Sequence, residues 1–380
     1  MHDIIYKGVK VLIQGGERML EVALKLLEEI TECGFKAYIV GGFVRDHLLG
    51  IESNDIDITT SATPKEIKEI FEDSCLPSED YGSVTVIKKG IRFEITTFRK
   101  EIGYVDNRRP AEIKYIDDLY QDLLRRDFTI NTICMNELGE IVDYLDGQSD
   151  LRKRVIKTVG VAKDRFEEDS LRILRAVRFA TILDFKLDDE VVEAIKECRG
   201  LLKKLSFYRK KEELDKIFAS SNAEVGIKLL VDLGLDKYLE IENLSDVKIT
   251  TSLIGVWSVL RASDKYPFSS NEKELIDAVR EALKLNNLDP YALYKYGLYA
   301  NSVAGEIKGL DIKKITESYN NLVIQSKKDL DITTEVILEA LNKEPGSFLK
   351  DIYNDIEKEV LYRRLSNERD RIIEYIVNKY

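Results

Sequence analysis

The stretch Ala37 to Thr60, AYIVGGFVRDHLLGIESNDIDITT, constrains the fold more than any other part of the chain. Ala37-Tyr38-Ile39-Val40 is a short β-prone run, and the paired glycines Gly41 and Gly42 end it in a turn. A short amphipathic helix carrying Arg45 and Asp46 follows and stops at Gly50. A second strand then presents Asp55-Ile56-Asp57-Ile58, with the aspartates on one face and the isoleucines on the other. Two such carboxylates repel each other and resist desolvation, and a divalent cation relieves both penalties. With glycines nearby that let a triphosphate approach the backbone, the pattern points to metal-assisted nucleotidyl transfer. An exposed strand end with ordinary acids, and a plain tight turn, remain open as readings of the same residues.

Composition narrows the chemistry. At 380 residues the chain exceeds one typical core, so two to four domains or subdomains are expected. No apolar run approaches the roughly 18 residues of a membrane span. The N-terminus, MHDIIYKGVKVLIQGG, lacks a clean apolar segment, so no secretion signal is expected. Cys33, Cys75, Cys134 and Cys198 form no CxxC pair, as suits a reduced, cytoplasmic protein. His2 and His47 are the only histidines, which excludes most zinc sites and histidine-based acid–base catalysis. The chemistry must run on carboxylates, arginines, lysines and a bound ion. A net charge of −11 argues against indiscriminate nucleic-acid binding but leaves room for a local basic groove.

Periodicity divides the chain near residue 150. Before it, residues 17 to 34 read as a helix ending at Gly34, and Thr63-Pro64 starts another through about Phe71. Ser83–Lys88 and Arg92–Arg99 flank Lys89-Gly90 as a hairpin. Glu101–Pro110 reads as a mobile loop, Leu119–Cys134 as a helix and Ile141–Asp143 as a closing strand. Beyond residue 150 alternation nearly vanishes and helical patterns run through 164–181, 188–199 and 208–219. The fold class is therefore α+β, with a small mixed or antiparallel sheet, followed by an all-α half.

Glu94, in the second hairpin strand, is the best candidate for the third carboxylate of a two-metal site; an exposed strand glutamate is the alternative. Arg125 and Arg126 in RRDFTIN suit phosphate clamping or helix-end ion pairs equally well. In EEDSLRILRAVRFA, Arg172, Arg175 and Arg178 recur every three residues, with Asp169 one step earlier. Each step turns about 60° around a helix, so Asp169 and Arg172 are neighbours whereas Asp169 and Arg178 are opposed. A carboxylate acceptor beside a guanidinium donor matches the Watson–Crick edges of cytosine and adenine, each with an exocyclic amine beside a ring acceptor. Uracil and guanine carry a carbonyl there. A charged helix with i,i+3 ion pairs is the commoner use of such a pattern.

Together these segments resemble the class II CCA-adding tRNA nucleotidyltransferases, in the family that also holds bacterial poly(A) polymerases. Gly41–Asp46 with Asp55–Asp57 resembles the family's metal motif, and Arg125–Asn131 its ribose and phosphate motif. Asp143–Gly147 resembles the hinge motif and Glu168–Arg172 the nucleotide-selecting motif. The resemblance implies that Asp55 and Asp57 bind Mg2+ and that Glu94 is the third acid. It implies that Gly42, Arg45 and Arg126 contact the nucleotide, that Asp169 and Arg172 read the base, and that Arg175 and Arg178 support the pocket. It further implies a polymerase-β-like head over residues 1–150, a helical neck over 151–210, a body over 211–300 and a tRNA-binding tail over 301–380.

By the same resemblance, CMP, CMP and AMP are joined to a tRNA 3′ end from CTP and ATP. The partner is the acceptor end and T-arm of tRNA; neither DNA nor a membrane is expected. The fifth family motif is altered, since Tyr208 stands where an acid is common, while Arg209 and Glu213 are kept. Lysines and arginines in Arg152–Lys163 and Lys203–Lys211 are candidates for phosphate contacts or plain solvated faces. Within the family, the full Glu101–Pro110 segment disfavours CC-adding enzymes and the missing basic extension disfavours poly(A) polymerases. A-adding enzymes share the same motifs. Outside enzymes, a non-catalytic RNA-binding protein is disfavoured by the three carboxylates.

Overall fold

The computed structural model describes residues 14–53, 55–72, 74–76, 82–105, 107 and 109–380. The reading of the first 13 residues, and the parts of the Glu101–Pro110 reading that fall on Asp106 and Arg108, lie outside the described residues. The chain divides into two compact units, Met1–Leu239 and Glu240–Tyr380.

In the first unit, α1 (Gln14–Glu32) buries Val22, Ala23, Leu26, Leu27 and Ile30 along one stripe. Gly34 then turns the chain at φ +89°. β1 (Ala37–Val40), α2 (Gly42–Leu49) and β2 (Asp57–Thr60) follow. α3 (Pro64–Ile70) begins with a capping box between Thr63 and Glu66. After β3 (Cys75–Leu76) come β4 (Ser83–Lys88) and β5 (Ile91–Thr97), joined by Lys89 and Gly90. Both turn residues have positive φ, 50° and 77°, as the twist of a two-residue hairpin requires.

β6 (Arg99–Val105) and β7 (Arg109–Tyr115) pair as a separate antiparallel ribbon, and α4 (Leu119–Leu124) leads to a 3-10 turn at Thr129–Asn131. β8 (Cys134–Met135) and β9 (Ile141–Val142) complete a seven-stranded sheet of order β3-β4-β5-β2-β1-β8-β9. β2 and β5 run parallel and the other neighbours antiparallel, so the sheet is mixed.

α5 (Gly147–Lys153), β10 (Val155–Ile156), α6 (Ala162–Glu168), α7 (Leu171–Leu183) and β11 (Lys186–Leu187) follow. The unit closes with α8 (Asp189–Cys198), α9 (Phe207–Phe218), α10 (Ala223–Asp232) and α11 (Asp236–Leu239). The second unit is helical: α12 (Leu253–Val259), α13 (Ser270–Leu283), α14 (Pro290–Lys308), α15 (Ile312–Asn320), α16 (Thr334–Leu341), α17 (Phe348–Leu361) and α18 (Arg369–Lys379). One of its cores gathers Ile337, Ile352, Ile356, Val360, Ile372 and Ile376. No helix among the described residues is long and apolar enough to cross a membrane.

Four local expectations are corrected. Glu101–Pro110 is not a loop where it is described: residues 101–105 and 109–110 belong to the β6–β7 ribbon, with Tyr104 opposite Pro110. Its polar composition fits a ribbon that stands outside the main sheet and keeps much of its surface wet. The helix expected over Leu119–Cys134 stops at Leu124, because beyond it Asp127 turns to Arg175 and the Thr129 N–H to the Lys157 carbonyl. The helix expected over 164–181 breaks at Asp169, which is extended (φ −139°, ψ 102°), and the Ser170 N–H donates to the Asn107 carbonyl at 3.0 Å. The helical half also holds one short parallel ladder, β10 with β11.

Candidate active site

The sheet sets the carboxylates. Ile56 and Ile58 are each 1 % exposed, so alternation turns Asp55 and Asp57 out to the cleft. In the β2–β5 ladder Asp57 pairs with Glu94, which places the third acid on the neighbouring strand. Desolvation, then the charges of Asp55 and Glu94, push the Asp57 carboxyl up to about 6, with Arg126 opposing. The cleft has a volume of about 1270 Å³. Asp55 and Asp57 line it together with Gly42, Arg45, Arg126, Asp169, Arg172, Arg175 and Arg178; Glu94 lies beside Asp57 but is not part of the lining.

Gly41 lines the cleft at the start of α2. Its φ of 81° and ψ of −132° are closed to side-chain-bearing residues at low cost, and it leads into the first turn of α2. A Cβ at Gly41 would stand 3.8 Å from Arg126 Nη1, and one at Gly42 3.8 Å from Arg45 Nη2. Both glycines thus leave open space beside a guanidinium.

The arginines are held by a chain of acids that crosses the unit. Arg45 donates from Nε and Nη2 to Asp46 (2.8 and 3.0 Å) and from Nη1 to Asn131 Oδ1 (2.7 Å). Asn131 in turn donates to Asp127 Oδ1 at 3.0 Å, and Asp127 Oδ2 accepts from Arg175 Nε at 2.7 Å. Burial disfavours charge on Asp127, but Arg175, Asn131 and a backbone N–H outweigh it and hold the carboxyl well below the usual range. Arg178 donates to buried Glu213 at 3.0 Å. The guanidiniums of Arg45, Arg175 and Arg178 stand 5.2, 5.3 and 4.4 Å from the Phe179 ring centroid. One aromatic ring thus gathers three of the cleft's cations.

The α6–α7 break sets Asp169 and Arg172 apart. Asp169 and Arg172 both line the cleft, but from either side of the break rather than from one helix. Asp169 Oδ1 accepts from the Leu171 N–H at 3.0 Å. Arg172 Nη1 donates to Glu168 (2.8 Å) and to the Arg165 carbonyl (2.9 Å), and Nη2 to the Arg125 carbonyl (3.1 Å). Its fork is therefore fixed by the protein's own groups. Tyr104 of β6 places its ring 6.0 Å from that guanidinium and donates its hydroxyl to Glu101 at 2.9 Å.

The donor set fits a hard divalent cation. All candidate ligands are carboxylate oxygens, and burial, then the like charges of Asp55 and Glu94, raises the Asp57 carboxyl, penalties that a cation would relieve. Among the described residues no three Asp, Glu, His or Cys side chains converge on one point. Two protein carboxylates with water and substrate phosphates are a common way of holding Mg2+.

Sequence reasoning missed Asp122, Asp127, Asn131, Glu168 and Phe179 as parts of the site. Asp127, Asn131 and Glu168 lay inside recognised motifs and Phe179 inside the arginine-bearing stretch, without roles of their own. The only mark of Asp122 is its i,i+3 and i,i+4 spacing to Arg125 and Arg126. Among the basic candidates, Lys210 is 1 % exposed and donates to the Tyr238 carbonyl at 3.0 Å, which removes it from any phosphate surface.

Comparison with known proteins agrees over most of the chain. Residues 37–157 match the poly A polymerase head domain, 184–244 the probable RNA and SrmB-binding site of polymerase A, and 258–376 the putative tRNA nucleotidyltransferase domain 2. A CCA-adding enzyme of Ligilactobacillus salivarius (strain UCC118) is 35% identical over 382 residues, covering 93% of this chain and 95% of its own. One from Staphylococcus aureus (strain MRSA252) is 33% identical over 392 residues, with 95% and 98% covered. The crystal structure of the Bacillus stearothermophilus CCA-adding enzyme in complex with CTP superposes with a TM-score of 0.85 at 28% identity. That match covers 95% of this chain and 97% of the other.

Proposed function

The chain belongs to the CCA-adding enzymes, a family of nucleotidyltransferases, and from that premise we propose that it adds C, C and A in turn to a tRNA 3′ end, taking them from CTP and ATP without a template. One observation carries the reading: an acidic floor and a fixed acceptor–donor pair, Asp169 and Arg172, share one cleft. In each step the terminal hydroxyl oxygen of tRNA bonds to the α-phosphorus of the nucleotide. The bond from that phosphorus to the bridging oxygen breaks, pyrophosphate leaves with the electron pair, and the hydroxyl proton goes to water.

Asp55 and Asp57 would hold Mg2+, with Glu94 as the third acid. When bound, the ion acidifies the attacking hydroxyl and neutralises charge on the departing pyrophosphate. Gly42, Arg45 and Arg126 take the phosphates and ribose. Asp169 accepts from the exocyclic amine of cytosine or adenine while Arg172 donates to the adjacent ring nitrogen, and Arg175 and Arg178 brace the pocket. In this reading residues 1–150 are the catalytic head, 151–210 the selecting neck, 211–300 the body and 301–380 the tRNA-gripping tail. The free thiols at Cys33, Cys75, Cys134 and Cys198 are consistent with work in the cytoplasm.

Incubating the protein with Mg2+, each single nucleotide, and either tRNA lacking CCA or tRNA ending in CC tests the proposal. CMP should enter the first and AMP the second. Incorporation of AMP alone, onto the CC end alone, would replace this reading with an A-adding enzyme.

A further inference from the structure

Asp122 stands behind the cleft rather than in it. It is 0 % exposed and sits on α4, outside the lining. Its Oδ1 accepts the Arg99 backbone N–H at 3.1 Å and Arg125 Nε at 2.8 Å. Its Oδ2 accepts Arg126 Nη2 at 3.3 Å and the Thr59 hydroxyl at 3.5 Å. Thr59 lies two residues beyond Asp57 on β2, so one buried carboxylate ties the acidic strand, the start of the β6–β7 ribbon and two guanidiniums together. A second carboxylate, Glu101, shares the load: it meets Arg99 at 2.9 Å and Arg125 at 3.5 Å. Arg126 is left differently. Its Nε is buried without a hydrogen-bond partner, and its Nη1 faces the open space above Gly41.

A guanidinium anchored by one nitrogen, with its other N–H groups unspent beside a glycine turn, is a preformed receptor for phosphate oxygens. We infer that Asp122 is a positioning residue for nucleotide binding: it fixes the Arg126 fork so that Nη1, beside the Gly41–Gly42 turn, meets the triphosphate. The inference rests on the reading of the cleft as a nucleotide site. Because it concerns phosphate and not the base, CTP and ATP should depend on Asp122 equally. Without the carboxylate, the neighbouring guanidiniums of Arg125 and Arg126 would repel each other and Arg126 would lose its anchor.

Asp122→Asn keeps the shape and one acceptor oxygen but removes the charge. Equilibrium binding of CTP and of ATP to the full chain should weaken about tenfold for both, the scale of losing a charge-assisted hydrogen bond. In an Arg126→Ala background the same change should cost less than about twofold, because its route to the nucleotide is gone. A merely structural role would lower thermal stability in both backgrounds and weaken binding equally in both, which overturns the inference; so does an unchanged affinity in Asp122→Asn. If the amide variant gives no cooperative melting transition, Asp122→Glu, with the charge displaced by one methylene, carries the same two-background comparison. A protein whose nucleotide affinity shows this dependence yet extends no tRNA upholds the inference and overturns the proposed function.

Discussion

Asp57 is flanked by Asp55 two residues before it and by Glu94 across the ladder, and its carboxyl titrates near 6 instead of near 3.8. In that window the folded state holds a proton that the unfolded chain releases. Stability of the metal-free protein should therefore fall as pH rises from about 4 to about 6 and stay lower above it. Solvent at the cleft limits the effect to about 1 kcal/mol. Mg2+ should cancel the loss above pH 6, because it binds the ionised carboxylates. Melting temperatures across this range, with and without Mg2+, check the sign, and Asp57→Asn should flatten the metal-free curve while abolishing turnover for every nucleotide. An unchanged curve in that variant would assign the titration elsewhere. Arg178 and Glu213 behave differently, since their side chains are 9 % and 5 % exposed and pair at 3.0 Å. Glu213→Ala leaves a buried guanidinium without its acid and should cost about 3–5 kcal/mol in urea unfolding. A loss under about 1 kcal/mol would mean that water reaches the pair.

At the scale of elements, the break between α6 and α7 sets where Asp169 and Arg172 stand, and in the proposed function it decides how the base is read. A continuous helix would have stacked Asp169 and Arg172 one turn apart; instead Asp169 is extended and Arg172 is pinned by Glu168 and two carbonyls. Asp169→Ala should therefore relax the choice of nucleotide by about tenfold or more, the usual worth of a paired base contact, while slowing CMP addition less. Competition of UTP and GTP against CTP and ATP measures it, and an equal loss for all four would remove Asp169 from base reading. The same break shows where sequence reasoning stops. β1, the glycine turn and β2 were legible because alternation and turn chemistry are local. The ends of α4 and α6 were not. Beyond Leu124, Asp127 meets Arg175 and the Thr129 N–H bonds the Lys157 carbonyl, and Ser170 bonds Asn107, 63 residues earlier in the chain. Tertiary partners overrode a helical pattern that was otherwise sound. Asp122 was invisible for the same reason, since nothing local tells a buried anchor from an exposed i,i+4 pair.

At the scale of the molecule, every residue lining the cleft belongs to Met1–Leu239, while the second unit holds aromatic rings interleaved with cations. Lys295 stands 5.1 Å from the Tyr296 ring centroid, Lys358 4.9 Å from that of Tyr291, and Arg364 4.9 Å from that of Tyr362. Rings offer stacking surface and the cations offer phosphate contacts, the combination that holds RNA with little regard to sequence. A chain with net charge −11 must concentrate such contacts locally, because its overall field repels a polyanion. The two units should therefore divide the binding work. A chain ending at Leu239 should keep its affinity for CTP within about threefold, since nucleotide binding draws on contacts inside the first unit alone. Its affinity for tRNA should fall by at least about tenfold, and the dependence of that affinity on KCl should flatten as phosphate contacts are lost. Titrating CTP and labelled tRNA against both chains at several salt concentrations separates the two terms. If the shortened chain keeps the full salt dependence, the tRNA phosphates are held by the first unit, and the basic candidates in Arg152–Lys163 and Lys203–Lys211, other than buried Lys210, become the groups to replace.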